Sequence, residues 1–281
     1  MTTLALSALF ALLLWWASTG IVLYLDQRPR PTHARSLRGA SIVGGLALVG
    51  LVATRDLATV GGACVAFTCA VLVWGWHEMS FLTGRVTGPR RHACVDGCRG
   101  VRHFGHAVEA IIHHELALAA TLALIVALAW NAANWVGAAT FALLWTMRLS
   151  AKLNLFLGVR NPGTELLPAH LRYLASFFGR RPVNALLPVS VAATALVVAW
   201  LARSALVAGS AFEATAYGLV AALAALALLE HLFLILPWSV ARLWGWSGDP
   251  AGTGPAPAPV AAAVGASVLP DPRPRTVEPK R

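Results

Sequence analysis

Apolar residues fall into seven runs, roughly 3–25, 39–54, 57–82, 107–130, 134–157, 184–207 and 212–237, separated by short polar or arginine-rich stretches. A membrane-spanning helix needs about 20 mostly apolar residues. All but the second run reach that length. The second, GASIVGGLALVGLVAT, is short and rich in glycine, and Gly44, Gly45 and Gly50 would let a neighbouring helix approach closely. The pattern predicts an all-α, polytopic membrane bundle of about seven transmembrane helices. The first run lacks a basic leader-like start and is long enough to span, so it reads as a helix and not as a cleaved signal.

The basic residues give this bundle an orientation. Arg28, Arg30, Arg35 and Arg38 follow the first run. Arg85, Arg90, Arg91, Arg99 and Arg102 follow the third, and Arg160, Arg172, Arg180 and Arg181 the fifth. Arg242, Arg273, Arg275, Lys280 and Arg281 follow the seventh. The alternate connections, TRDLA, NAAN and AGSA, are short and nearly neutral. Basic loops stay in the cytoplasm, so the N-terminus is expected outside and the C-terminus inside. Residues 1–246 then form a transmembrane domain. Residues 247–281, rich in Pro, Ala and Gly, read as a disordered cytoplasmic tail.

Composition agrees with this class. The 281 residues are 58% hydrophobic and 12% charged, whereas a soluble domain is nearer a quarter charged. The net charge of +10 is explained by positive-inside loops beside anionic lipid, with no nucleic-acid partner required. There is no P-loop, dinucleotide fingerprint, nucleophile elbow or HExxH motif.

Charged groups within the apolar runs are the exception to the pattern. Ionisable side chains inside a bilayer cost a few kcal/mol or more, and usually face a protein interior. The third run carries His77 and Glu78; the fourth, Glu109, His113, His114 and Glu115; the fifth, Arg148, Lys152 and Asn154; the seventh, Glu230 and His231. With the orientation above, all lie toward the cytoplasmic side, most of them about 5–15 Å inside the boundary at 1.5 Å per residue. One polar cavity opening toward the cytoplasm is the expectation. Neighbouring helical positions are about 100° apart, so each His-Glu pair can share one inward sector. His113 is about 200° from Glu115 and reads as a bystander, sharing a different face with Glu109.

Three uses of such a cavity stay open at this point. Arg148 and Lys152, four apart, could neutralise glutamates in a structural network. His77, Glu78, His114, Glu115, Glu230 and His231 could bind metal, although the Glu-x-x-His spacing of di-iron bundles is absent. A histidine could also contact bacteriochlorophyll or haem.

Weaker signals lie elsewhere. The loop TGPRRHACVDGCRGVRHFGHA holds His92, Cys94, Cys98, His103 and His106. These residue types suit zinc, but the spacing matches no familiar finger, and reduced thiols in a basic loop are the simpler reading. Cys64 and Cys69 read as packing residues. Trp15, Trp16, Trp74 and Trp76 lie within runs and suit packing or a pigment; Trp238, Trp244 and Trp246 suit interface anchoring. Leu167, Leu171, Leu174 and Phe178 predict a short amphipathic helix over 168–178, lying at the interface or docking a partner.

Five blocks, taken in order, resemble one family: WWASTGIVLYLDQRPR, WGWHEMSFLTGRVTGPRR, RLSAKLNLFLGVRNP, LPAHLRYLASFFGRRPVNALLPVS and LLEHLFLILP. They are similar to the PuhE family, photosynthetic complex assembly protein 2 of anoxygenic phototrophic bacteria, along most of residues 10–240. The resemblance implies a gene near that of the reaction-centre H subunit. It also implies a role in assembling the photosynthetic apparatus or supplying bacteriochlorophyll. It supplies no catalytic residues. The His77-Glu78, His114-Glu115 and Glu230-His231 pairs fit its pattern; His113, the two-cysteine loop and the tail are particular to this chain. The expectation is a non-catalytic factor in the bacterial inner (cytoplasmic or intracytoplasmic) membrane. Its partners would be reaction-centre or light-harvesting subunits or pigment-synthesis enzymes. The alternative is a metal-dependent, di-iron-like membrane oxidoreductase in or near tetrapyrrole metabolism. Convergence of the three pairs on one point favours the enzyme; scattered ion pairs favour the scaffold.

Overall fold

The computed structural model describes residues 2–95 and 97–236. Trp238, Trp244, Trp246 and the Pro/Ala-rich tail lie outside the described residues. The described residues form seven long helices: α1 (Thr2–Asp26), α2 (Arg30–Thr54), α3 (Val60–Leu82), α4 (Gly100–Leu128), α5 (Val136–Leu157), α6 (Leu186–Leu206) and α7 (Ala211–Phe233). No strand occurs among the described residues. The molecule is an α-helical membrane bundle. Six of these described helices are long and apolar enough to cross a membrane; by composition α5 is not among them. Arg148, Lys152 and Asn154 lower its hydropathy. It is nevertheless enclosed by α3, α4, α6 and α7, and only Thr146, Leu153 and Leu157 along it are exposed.

Two boundaries differ from the sequence reading for one reason. The second helix begins at Arg30, not near residue 39, and the fourth at Gly100, not near 107. Hydropathy sees only the part of a helix that lipid would cover. Arg30, Arg35 and Arg38 continue α2 beyond its apolar stretch. Pro31 opens this helix within the first turn, where its missing N–H leaves no gap. His33 Nε2 lies 3.0 Å from Asp26 O and 2.8 Å from Arg28 O, binding the start of α2 to the end of α1.

Close packing uses small residues. A Cβ on Gly44 would meet the Trp76 ring at 3.0 Å, and one on Gly50 would meet Cys69 Sγ at 2.6 Å, so both glycines seat α2 on α3. Gly45 faces open space and has no such role. Gly218 on α7 meets Ser7 on α1 in the same way, which closes the bundle between its first and last helices.

The connections gather at two ends. At one, Asn134 Nδ2 donates to Thr54 O at 3.1 Å and its Oδ1 accepts from Val136 N, joining the end of α2 to the start of α5. At the other, the α3–α4 loop, the α5–α6 connection and the end of α7 meet. His170 Nε2 bonds Leu82 O (2.7 Å), Ser176 Oγ accepts from Cys94 N (2.9 Å), and Asn161 Nδ2 donates to Phe233 O (3.1 Å). This second end carries most of the arginines.

The α5–α6 connection leaves and returns through a narrow neck. Gly158 has φ +108°, and a Cβ there would strike the Arg181 backbone N at 2.6 Å; a Cβ on Gly179 would strike Gly158 N at 2.5 Å. Within the connection, residues Ala169–Phe177 form a 3-10 helix. The sequence predicted a stripe ending at Phe178. The structure buries Leu171, Leu174 and Phe177 instead, because side chains three apart eclipse in a 3-10 helix.

The grouping of connections sharpens the orientation expected from charge. Reporters fused after Asn134 should behave as periplasmic, and reporters fused after Arg181 as cytoplasmic. The reverse pattern would overturn the orientation.

Candidate functional site

Helix α5 carries polar residues on two opposed faces. At 100° per residue, Trp145, Arg148 and Lys152 fall within about 60° of one another, and Met147, Ser150 and Asn154 form a second stripe roughly opposite. The first stripe collects glutamates. Lys152 Nζ donates to Glu115 Oε1 of α4 at 2.5 Å, and Trp145 Nε1 donates to Glu115 Oε2 at 3.0 Å. Arg148 donates to Glu230 Oε1 of α7 at 2.8 Å and lies 3.8 Å from Glu78 Oε2 of α3. Lys152 Nζ also sits 5.6 Å from the centre of the Phe81 ring, an attractive position for a cation.

The second stripe collects neutral groups. Ser150 Oγ donates to Ser190 Oγ of α6 (3.0 Å) and lies 2.9 Å from His231 Nε2 of α7. Asn154 Nδ2 donates to Ser190 Oγ (3.1 Å) and to Ser150 O. His231 Nδ1 donates to Ala227 O one turn back.

Each adjacent pair is therefore divided, not shared. The glutamate reaches a cation on α5, and its histidine neighbour enters the core. His77 is buried and bonds Thr121 Oγ1 at 2.9 Å. His231 is fully buried in the Ser150 cluster. His114 is fully buried against Phe81, ring centres 4.7 Å apart, and neither ring nitrogen has a partner among the described residues. His113 is exposed, and Glu109 pairs outward with Arg90 at 2.9 Å. The sector expected to be shared by each pair is thus split: the histidine enters the core and the glutamate turns toward α5, Glu78 and Glu115 with only 14% side-chain exposure.

The three pairs do not converge on a common point. Among the described residues, one group of three or more His, Cys, Asp or Glu has all its ligand atoms within 4.8 Å: Cys94, Cys98 and His106. Burial, then the hydrogen bond to Cys98 and repulsion from it, push the Cys94 thiol up, against the opposing pull of Arg90. Away from these residues, an apolar recess of about 610 Å³ opens between α5, α6 and α7, lined by Trp135, Leu143, Met147, Trp200 and Tyr217 among others.

Sequence reasoning missed Trp145, Ser150, Ser190 and Thr121. Hydroxyls within an apolar helix carry little signal, because they can bond their own backbone four residues back. The spacing of Trp145, Ser150 and Asn154 around Arg148 and Lys152 was the available clue.

Two outcomes follow for purified protein unfolded by heat in detergent. Glu115 and Lys152 keep only 14% and 20% side-chain exposure. Glu115→Gln or Lys152→Met alone should cost about 2–3 kcal/mol, because the remaining group is left without its partner. The double variant should recover at least half of that loss; strict additivity would show that the pair is not coupled. His114→Leu should fall within about 1 kcal/mol of the parent or exceed it, because the imidazole has no hydrogen bond to lose. A large loss there would reveal a partner for the ring.

Comparison with known proteins gives a family. The family model described as "Protein of unknown function (DUF3623)" matches residues 1–253. A relative in Rhodobacter capsulatus is 39% identical over 260 residues, covering 88% of this chain and 93% of the relative. It is named "Uncharacterized 30.4 kDa protein in puhA 5'region". No solved structure matches. A match across nine-tenths of the chain, with identity of this level along nearly the same length, means that the chain belongs to the DUF3623 family.

Proposed function

We propose that this chain is a multi-pass factor of the bacterial inner membrane that assists assembly of photosynthetic complexes. Its partners on this reading are reaction-centre or light-harvesting subunits or the enzymes that supply their pigment. The observation that carries it is the Rhodobacter capsulatus relative, named for its place in the puhA 5' region and alignable along almost the whole chain. The five sequence blocks resembling the PuhE family point the same way.

The site geometry supports a scaffold over an oxidoreductase. A di-iron or similar centre needs carboxylates and imidazoles directed at one point. Here Glu78, Glu115 and Glu230 are directed at Arg148 and Lys152. Their neighbouring histidines are spread through the core on separate partners. The polar groups thus bind α3, α4, α6 and α7 to α5. Helices α1, α2, α4 and α6 keep most of their apolar surface directed outward, where lipid or a partner's helices cover it.

The test is a phototrophic strain lacking the chromosomal copy, complemented by this chain or by nothing. Without the chain, near-infrared absorption of assembled complexes should fall several-fold, while the pigments present remain chemically those of the parent. Accumulation of an altered tetrapyrrole would favour the oxidoreductase reading instead. Unchanged complexes and pigments would remove both.

A further inference from the structure

The α3–α4 loop does not hang free. It runs back along α4: His114 N donates to Thr87 O (3.0 Å), Arg90 N to Glu109 O (3.4 Å), and Arg90 Nε to Glu109 Oε2 (2.9 Å). A Cβ on Gly88 would strike the α4 backbone at Glu109 and Ala110, so only glycine lets the loop lie this close. The path delivers Cys94 and Cys98 to the beginning of α4. There His103 and His106, three apart, share a helical face.

Cys94, Cys98 and His106 meet, and His103 adjoins Cys94. His106 Nδ1 lies 3.4 Å from Cys94 Sγ and 3.4 Å from Cys98 Sγ. His103 Nδ1 lies 3.3 Å from Cys94 Sγ. Zinc holds thiolate sulfur at about 2.3 Å and imidazole nitrogen at about 2.0–2.1 Å, so a tetrahedral ion separates S from N by about 3.6 Å. The observed separations are within a few tenths of an ångström of that value.

Three elements hold these donors in place. Cys94 packs against the small core of Phe81, Ala110, Leu171, Leu174 and Phe177, and its N–H is fixed by Ser176. His103 stacks on Phe156 of α5, ring centres 5.5 Å apart, and lies 5.8 Å from Phe177. The surrounding charge also suits a dithiolate site. Arg90, Arg91, Arg99 and Arg102 flank it in sequence. They oppose a bare cation, but favour two thiolates, whose charge cancels that of the ion.

We propose that Cys94, Cys98 and His106 bind one structural zinc ion, and that His103, now in contact with Cys94 alone, turns in to become the fourth ligand. Four protein ligands leave no position for substrate, so the ion acts on architecture. It ties the α3–α4 loop to α4 and, through Ser176 and Phe177, to the α5–α6 connection. The thiolate–imidazole set selects zinc over magnesium or calcium, which prefer oxygen. This site is separate from the α5 ion pairs, and its presence or absence leaves the assembly reading untouched.

The test is elemental analysis of the full-length protein, purified in detergent without chelator or metal affinity resin. About one zinc per chain is expected. Cys94→Ser with Cys98→Ser should reduce this at least tenfold, and His113→Phe, exposed about two turns further along α4, should keep it. His103→Ala should weaken zinc retention against a competing chelator 10- to 100-fold; unchanged retention would overturn its place as fourth ligand. If the double variant fails to accumulate, alkylation of the wild-type protein decides. Both thiols should be protected in membranes and become reactive after chelation. Less than a tenth of a zinc per chain after incubation with zinc, or a Cys94–Cys98 disulfide as the purified form, would overturn the proposal.

Discussion

A lysine and an arginine one helical turn apart, inside an otherwise apolar bundle, constrain everything around them. Neither charge is tolerable at such a position alone. Lys152 is answered by Glu115 with help from Trp145, and Arg148 by Glu230 and Glu78. Those partners lie on α4, α7 and α3. The requirement that α5 neutralise two cations therefore fixes which three helices surround one of its faces. The opposite face, with Ser150 and Asn154, recruits α6 and the histidine of α7. The long helix that falls short of a membrane span by composition becomes the one that its neighbours enclose.

This arrangement makes orientation between helices specific. Apolar surfaces in lipid gain little from choosing one partner over another, because lipid tails are as apolar as leucine. Close contact at Gly44, Gly50 and Gly218 supplies shape. The ion pairs supply the penalty for any wrong rotation of α5, since turning it would leave a charge without its counterpart.

Much of this was legible from residue spacing. The seven helices, the interior placement of His114 against the exposure of His113, and the involvement of Arg148, Lys152 and Asn154 all follow from a 100° step and the cost of charge in lipid. Two things were not legible. Adjacent His and Glu residues are 100° apart, and that angle permits either a shared cavity or a split between core and counter-ion. Only the position of α5 decides, and no local pattern records it. The starts of α2 and α4 were also hidden, because Arg30–Arg38 and Gly100–His106 are helical without being apolar. The second of these hides a further consequence: His103 and His106 share a helical face only because the helix begins early enough to include both.

The neck formed by Gly158 and Gly179 separates two kinds of tolerance. At the neck, backbone meets backbone, so any side chain there would prise apart the start of the excursion and its return. Beyond the neck, the ends of the segment are already held together whatever its contents. Lengthening such a closed excursion costs little, about 0.6 kcal/mol for each doubling. An insertion after Gly163 is therefore expected to leave the register of α5 against α6 unaltered.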